Sequence, residues 1–234
     1  MQYARLDIRD GGVYSIDSDD WYISAPDGVN EARYVYPQSN SIVERLGQSR
    51  SGTFTVAELG FGTGLNCALT IQDFLAAIGS RTHCQLRYIG FELRLVSLSD
   101  MQRIIQSVAG SDAALRSIWG SVAHAVVCGE KTNPECAPGV RIELCCGDAY
   151  QLLSGMQFAA DVWYLDGFAP GLTPDLWQQK VLQQVTRCSA PAATCSTFTA
   201  AGWVRRGLRN CGWQVDRVQG FGRKRHMTIG SLPE

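Results

Sequence analysis

A doubly wound, Rossmann-like α/β sheet with a small N-terminal appendage is the fold this 234-residue sequence predicts. Three observations predict it. From residue 54 onward, short β-type runs alternate with helical stretches, the pattern of a mostly parallel sheet covered on both faces. Glycines stand at every second position, Gly60, Gly62 and Gly64, in the segment Ala57 to Asn66 that directly follows the run Phe54-Thr55-Val56 and leads into a helical stretch. Acidic residues then close one expected strand after another at the edge where such sheets bind ligands.

Residues 1–50 form the appendage, and residues 51–234 the main domain. Gly12-Val13-Tyr14-Ser15 and Trp21-Tyr22-Ile23-Ser24 read as short strands around the acidic turn Asp17-Ser18-Asp19-Asp20, and Pro26-Asp27-Gly28 is a turn signal. A short helix ends near Leu46, and 48–52 is polar and glycine-bearing enough for a linker. Strands are expected at 54–57, 85–91, 140–146, 161–165, 193–198, 213–218 and 226–232. Helices are expected at 65–78, 95–108, 112–119, 149–154, 174–187 and 201–211. Residues 120–139, with Asn133-Pro134 and Pro138-Gly139, show no clear period and read as a loop.

The glycine turn states what kind of ligand to expect. Glycine lets a backbone turn sharply and approach a ligand without a Cβ in the way, and the following helix offers its free N–H groups. A dinucleotide fingerprint needs glycine or alanine where Leu65 stands, and no Gly-Lys-Ser/Thr of a P-loop occurs in the chain. What remains is the turn of an S-adenosylmethionine methyltransferase, with Glu58 just ahead of the glycines. Glu92 closes the second strand, where a carboxylate accepts both hydroxyl protons of a ribose. Asp148 closes the third, in reach of an adenine amino group, and Asp166 the fourth, facing whatever enters from the far side.

Composition agrees with a globular enzyme. The chain is 45% apolar and 18% charged with a net charge of −1, far from the disordered regime. No apolar stretch approaches the ~20 residues of a membrane span, and the charged first ten residues lack the apolar core of a leader. A cytoplasmic protein is the expectation. Nine cysteines without a Cys-x-x-Cys, and three histidines at no ligand-like spacing, read as buried reduced thiols rather than a metal site.

Asp166-Gly167-Phe168-Ala169-Pro170 makes the sequence specific. It resembles the Leu-Asp-Gly-Phe-Ala-Pro motif of the methyltransferase family typified by the domain of the bifunctional tRNA wobble-uridine enzyme MnmC and by its stand-alone relatives. The resemblance includes Asp19-Asp20 with Tyr22, Glu31-Ala32-Arg33-Tyr34-Val35, Glu58 through Asn66, Phe91-Glu92, Gly147-Asp148, Pro174-Asp175-Leu176-Trp177, 197–202, 204–208 and Gly220 through Met227. It departs from the family at Gly171-Leu172-Thr173. It implies methyl transfer from S-adenosylmethionine to the exocyclic amine of 5-aminomethyl-2-thiouridine in the anticodon of tRNA. It also implies cofactor contacts from Glu58, Gly60, Gly62, Gly64, Asn66, Glu92 and Asp148. Only the methyl-transfer step, not the flavin-dependent oxidase half of the fused enzyme, is expected of this sequence.

The chemistry sets its own demands. An alkyl amine with a pKa of about 10.4 is almost wholly protonated at pH 7 and has no lone pair for attack. Asp166 is the candidate base that orients an N–H and takes its proton, with Phe168 and Pro170 as a dry wall around the amine. Between Thr199 and Ile229 stand seven basic residues and one acid, the electrostatic footprint of an RNA partner. Within it the turn carrying Arg223, Lys224 and Arg225 is the RNA-binding candidate, while Arg205, Arg206 and Arg209 fit a solvated helix face equally well. A methyltransferase of a small-molecule amine and a non-catalytic RNA-binding relative remain the alternatives; Leu65 disfavours an NAD enzyme.

Overall fold

In the computed structural model, residues 3–48, 52–78, 84–127 and 137–234 are described. The chain opens with an antiparallel meander, β1 (Leu6–Arg9), β2 (Gly12–Ser15) and β3 (Asp20–Ile23). β1 was not expected from the sequence: its four residues alternate half-buried and exposed, too short a run to stand out. The single helix expected to end near Leu46 is broken into α1 (Gly28–Arg33), a wide π turn (Tyr34–Gln38) containing Pro37, and α2 (Ile42–Gln48). Proline lacks an N–H and clashes with the preceding turn, so the helix widens there instead of continuing. The expected linker residues 49–51 lie outside the described residues.

The main sheet contains β4 (Gly52–Leu59), β5 (Cys84–Glu92), β6 (Val140–Cys146), β7 (Ala160–Leu165), β8 (Ser189–Thr197), β9 (Gln214–Gln219) and β10 (His226–Ser231), in the order β6-β5-β4-β7-β8-β10-β9. β4 pairs in parallel with β5 and β7, and β10 runs antiparallel to both β8 and β9. A dinucleotide fold has the order 3-2-1-4-5-6; here one antiparallel strand is inserted before the last.

Side chains of a strand alternate between its faces, and the core divides accordingly. On β7, Val162 and Tyr164 belong to one buried cluster and Trp163 and Leu165 to the other. On β5, Leu86 and Tyr88 face the first, Ile89 and Phe91 the second. The first face is covered by α3 (Leu65–Ile78), α4 (Leu98–Val108) and α5 (Ala113–Val127), the second by α6 (Ala149–Ser154), α7 (Gln179–Arg187) and α8 (Gly202–Asn210). The first cluster also takes in Val13, Ile23, Val35, Ile42 and Leu46, so the N-terminal residues share a continuous core with the large sheet.

Three helix boundaries differ from expectation. α4 starts at Leu98 rather than 95, because Ser97 caps it by accepting a hydrogen bond from the Asp100 amide. α5 runs past Gly120 to Val127, where the sequence suggested a loop. A mid-helix glycine costs only about 1 kcal/mol, and buried Trp119, Val122 and Ala123 carry the apolar face across it. The expected helix 174–187 is a 3-10 turn (Pro174–Trp177) and α7, separated by extended Gln178. The rest of the expected loop, 128–136, with Cys128, Cys136 and also His83, lies outside the described residues. No helix among the described residues is long and apolar enough to cross a membrane.

Candidate functional site

β4 is the strand at which the chain switches sides, since β5 lies on one flank and β7 on the other. A crevice opens at the carboxyl ends of such neighbours. The two loops that border it touch. Gly60 has φ +81°, and a Cβ there would lie 1.9 Å from the Asp166 carbonyl oxygen. Gly62, at φ +54°, faces the ring of Tyr22, 3.1 Å from where its Cβ would stand. Gly64 is used differently: at φ +75° it lies against Phe61 and Val122, inside the protein. Gly90 on β5 completes this packing, because a Cβ there would sit 2.4 Å from the Phe61 ring.

The crevice is a cleft of about 400 Å³, within the ~300–1,000 Å³ range of small-molecule sites. Of the residues expected from the sequence, Gly60, Gly62, Asn66, Glu92, Asp148, Asp166, Phe168 and Lys224 line it. Glu58, Gly64, Pro170, Arg223 and Arg225 are not in its wall. Glu58 is wholly buried beneath it, accepting hydrogen bonds from Asn66 Nδ2 at 2.7 Å and Tyr88 Oη at 2.8 Å. Burial, reinforced by the charge of Asp166, pushes its carboxyl well above the ordinary range, so its contact is with Asn66 rather than a ligand. Pro170 is buried within the loop that Phe168 presents to the cleft.

Asp166 sits at the centre of a hydrogen-bond network. Tyr36 Oη donates to Oδ1 at 2.5 Å and Asn66 Nδ2 to Oδ2 at 2.6 Å. Burial pushes the Asp166 carboxyl up to about 6, and these two donors and the Lys224 charge restrain the rise. Asn66 thereby bridges two carboxyl groups, one hydrogen to each. Glu92 is held by the amides of Gly62 at 2.8 Å and Arg94 at 3.0 Å, while burial pushes its carboxyl up. Asp148 caps α6 by accepting from the Gln151 amide, and its exposed carboxylate borders the cleft.

Several cleft residues carried no assigned role in the sequence, and Lys224 carried a different one, as part of the RNA-binding turn. Tyr36 comes from the π turn, a distortion that recurs at functional sites. Tyr22 packs edge-on against Phe168 with ring centroids 4.8 Å apart, and Asp20 accepts from the Ala169 amide, so β3 holds the Asp166 loop from outside. Lys224 does not join Arg223 and Arg225 in one outward patch. Its ammonium lies 2.6 Å from Glu31 Oε1 and over the Phe198 ring, within the cleft wall. Asp20 and Tyr22 had no signal but their place in motifs far apart in sequence, and Tyr36 lies outside those motifs.

The cleft wall holds seven carboxylates (Asp17, Asp20, Glu31, Glu92, Asp148, Asp166 and Asp175) against Arg94 and Lys224. That donor set fits a cationic ligand such as a sulfonium and repels a pyrophosphate. S-adenosylmethionine fits it, and Glu92, Asp148 and the backbone of residues 60–63 are the groups in the wall that could hold it. Glu92→Ala is expected to weaken its binding by about 1.5–3 kcal/mol, the worth of hydrogen bonds to a charged group, as read by calorimetry. Parental affinity would remove Glu92 from the site.

A family model described as S-adenosyl-L-methionine-dependent methyltransferase matches residues 113–233. The chain is 36% identical, over its whole length, to the tRNA 5-methylaminomethyl-2-thiouridine biosynthesis bifunctional protein MnmC of Marinobacter nauticus, of which it covers 37%. It is 35% identical over 99% of its length to the protein of that name from Pseudomonas aeruginosa, covering 35% of it. It thus spans about a third of the length of these relatives. Among solved structures, MNMC2 from Aquifex aeolicus superposes with a TM-score of 0.80 at 20% identity, covering all of this chain and 73% of that one. This likeness confirms the fold.

Proposed function

The chain belongs to the S-adenosyl-L-methionine-dependent methyltransferase family, and we propose from that premise that its acceptor is the aminomethyl nitrogen of 5-aminomethyl-2-thiouridine at the wobble position of tRNA, a reaction of the cytoplasm. The observation that carries this reading is the carboxylate-lined cleft with Asp166 in its wall. An acidic pocket attracts an alkylammonium ion. The identity to MnmC relatives supplies the RNA.

S-adenosylmethionine, when bound, supplies an electrophilic methyl group whose transfer leaves a neutral thioether. The chain's own task is to deliver a neutral amine. Tyr36 and Asn66 each engage a different oxygen of Asp166, and a carboxylate oxygen has a second lone pair to offer. That lone pair takes a proton from the ammonium: an N–H bond breaks, an O–H bond forms on Asp166, and the electron pair stays on nitrogen. The elevated pKa of Asp166 brings it closer to the amine's ~10.4 than an ordinary aspartate stands. A lone carboxylate would favour the ammonium form; the dry wall of Phe168 and Tyr22 pushes the other way.

Transfer of a labelled methyl group to bulk tRNA carrying the unmethylated aminomethyl group tests the reading. Label on small amines but not on tRNA would replace it with the small-molecule alternative. Arg223 and Arg225, both exposed on the turn between β9 and β10, are the phosphate contacts. Reversing both to glutamate is expected to raise KM for tRNA with S-adenosylmethionine affinity unchanged. Their alanine version lowers the log–log salt slope of tRNA binding by up to about 2. An unchanged slope moves the footprint to α8.

A further inference from the structure

We infer that Glu31 is the receiving carboxylate for the acceptor's alkylammonium group at the cleft wall, and that Lys224 holds its place until the acceptor arrives. The acceptor's being a primary amine is taken from the proposed reaction; the exchange itself stands on the geometry of the pair. Lys224 Nζ lies 2.6 Å from Glu31 Oε1 and 5.1 Å from the centroid of Phe198, beside the cleft that holds Asp166. A lysine side chain ends in CH2–NH3+, the same group that an aminomethyl substituent presents. The protein therefore already seats a chemical twin of its acceptor in the acceptor's cleft.

The two partners differ in how firmly they are held. The Glu31 side chain is 17% exposed, and its Oε1, shielded from water, has no hydrogen-bond partner apart from this ion pair. Removing the cation outright would leave a buried charge uncompensated, whereas exchanging one ammonium for another would not. Lys224 is the more exposed partner, at 48%. Its backbone is fixed: Gly220 packs so tightly that a Cβ would lie 2.4 Å from the Lys224 carbonyl oxygen, and Tyr34 Oη donates to the Gln219 carbonyl at 3.1 Å. A turn held by these contacts thus carries a half-exposed lysine, flanked by exposed Arg223 and Arg225. An arriving polynucleotide offers phosphates to Lys224 as its amine takes Glu31, and the Glu31 site keeps its charge balance.

The test is n-propylammonium binding to the full chain, followed by NMR, with the fold of each variant checked by thermal melting. Lys224→Met is expected to bind the probe about tenfold more tightly than the parent, the low end of what close charge pairs contribute to binding. Adding Glu31→Gln to Lys224→Met removes the gain, and Lys224→Arg, which keeps the resident charge, shows none. No gain in Lys224→Met, or a gain that survives Glu31→Gln, overturns the exchange. Methylation of tRNA by the parent is scored separately. A probe gain without tRNA methylation upholds the amine site and sinks the tRNA reading, while tRNA methylation without a probe gain does the reverse.

Discussion

Asp166→Asn is expected to lower the maximal rate of methyl transfer by about 10²–10⁴, the usual worth of a positioned general base, and to leave S-adenosylmethionine affinity close to that of the parent. The substitution keeps the size of the side chain and an oxygen for Tyr36 or Asn66, but it cannot take a proton. In the parent, kcat/KM is expected to rise with pH as the Asp166 carboxyl ionises, through about 6, and to rise further as the amine loses its proton. The variant loses the first of these limbs and keeps the second, so high pH rescues it in part. Stability carries the same signature. Burial raises the folded pKa of Asp166 from 3.8 to about 6, so the folded state binds the extra proton in that window. Parental stability relative to the variant then falls as pH rises from about 4 to about 6 and is level outside it. Normal turnover at neutral pH would refute the base role. Lost cofactor affinity would make Asp166 a cofactor ligand instead.

The parts of this site that leave a local mark on the chain are the parts legible in sequence. Positive φ at Gly60 and Gly62 demands glycine, and the ends of β5 and β7 put Glu92 and Asp166 on one edge. The same marks also mislead. Gly64 has a positive φ for the sake of Phe61, and Glu58 stands in the motif but faces inward to Asn66 and Tyr88. Sequence cannot distinguish a glycine that borders the cleft, against the Asp166 backbone or the Tyr22 ring, from one that clears a phenyl ring behind it. Tyr36, Tyr22, Glu31 and Lys224 reach the cleft only because the N-terminal elements and the β9–β10 turn pack over the sheet edge. Tyr36 and Asp166 are 130 positions apart. No spacing rule joins such residues; only tertiary packing does. The early end expected for α5 has the opposite cause, a local signal at Gly120 that burial of Val122 and Ala123 overrides.

Gly60→Ala is expected to abolish S-adenosylmethionine binding and to lower the melting temperature. Two independent costs meet at this position. An L-residue at φ +81° is strained, at roughly 1–3 kcal/mol. The methyl carbon would also fall 1.9 Å from the Asp166 carbonyl oxygen and 2.8 Å from its carbonyl carbon. Those are backbone atoms, so no rotamer change relieves the overlap; one of the two loops must move. The Asp166 amide is bonded to the Leu59 carbonyl at 2.9 Å, and the amides of Gly60 and Phe61 to the Phe91 carbonyl at 2.9 and 3.0 Å. Separating the loops therefore breaks the contacts that keep Asp166, Asn66 and Glu92 in one cleft. Gly120→Ala provides the control. That glycine lies in α5 with nothing within 4 Å of an added Cβ, and the change is expected to hold or raise stability by up to about 1 kcal/mol with cofactor binding intact. Calorimetry and thermal melting of the two variants separate the cases. A Gly60→Ala protein that binds S-adenosylmethionine like the parent would show that the two loops need not touch for the cofactor site to form.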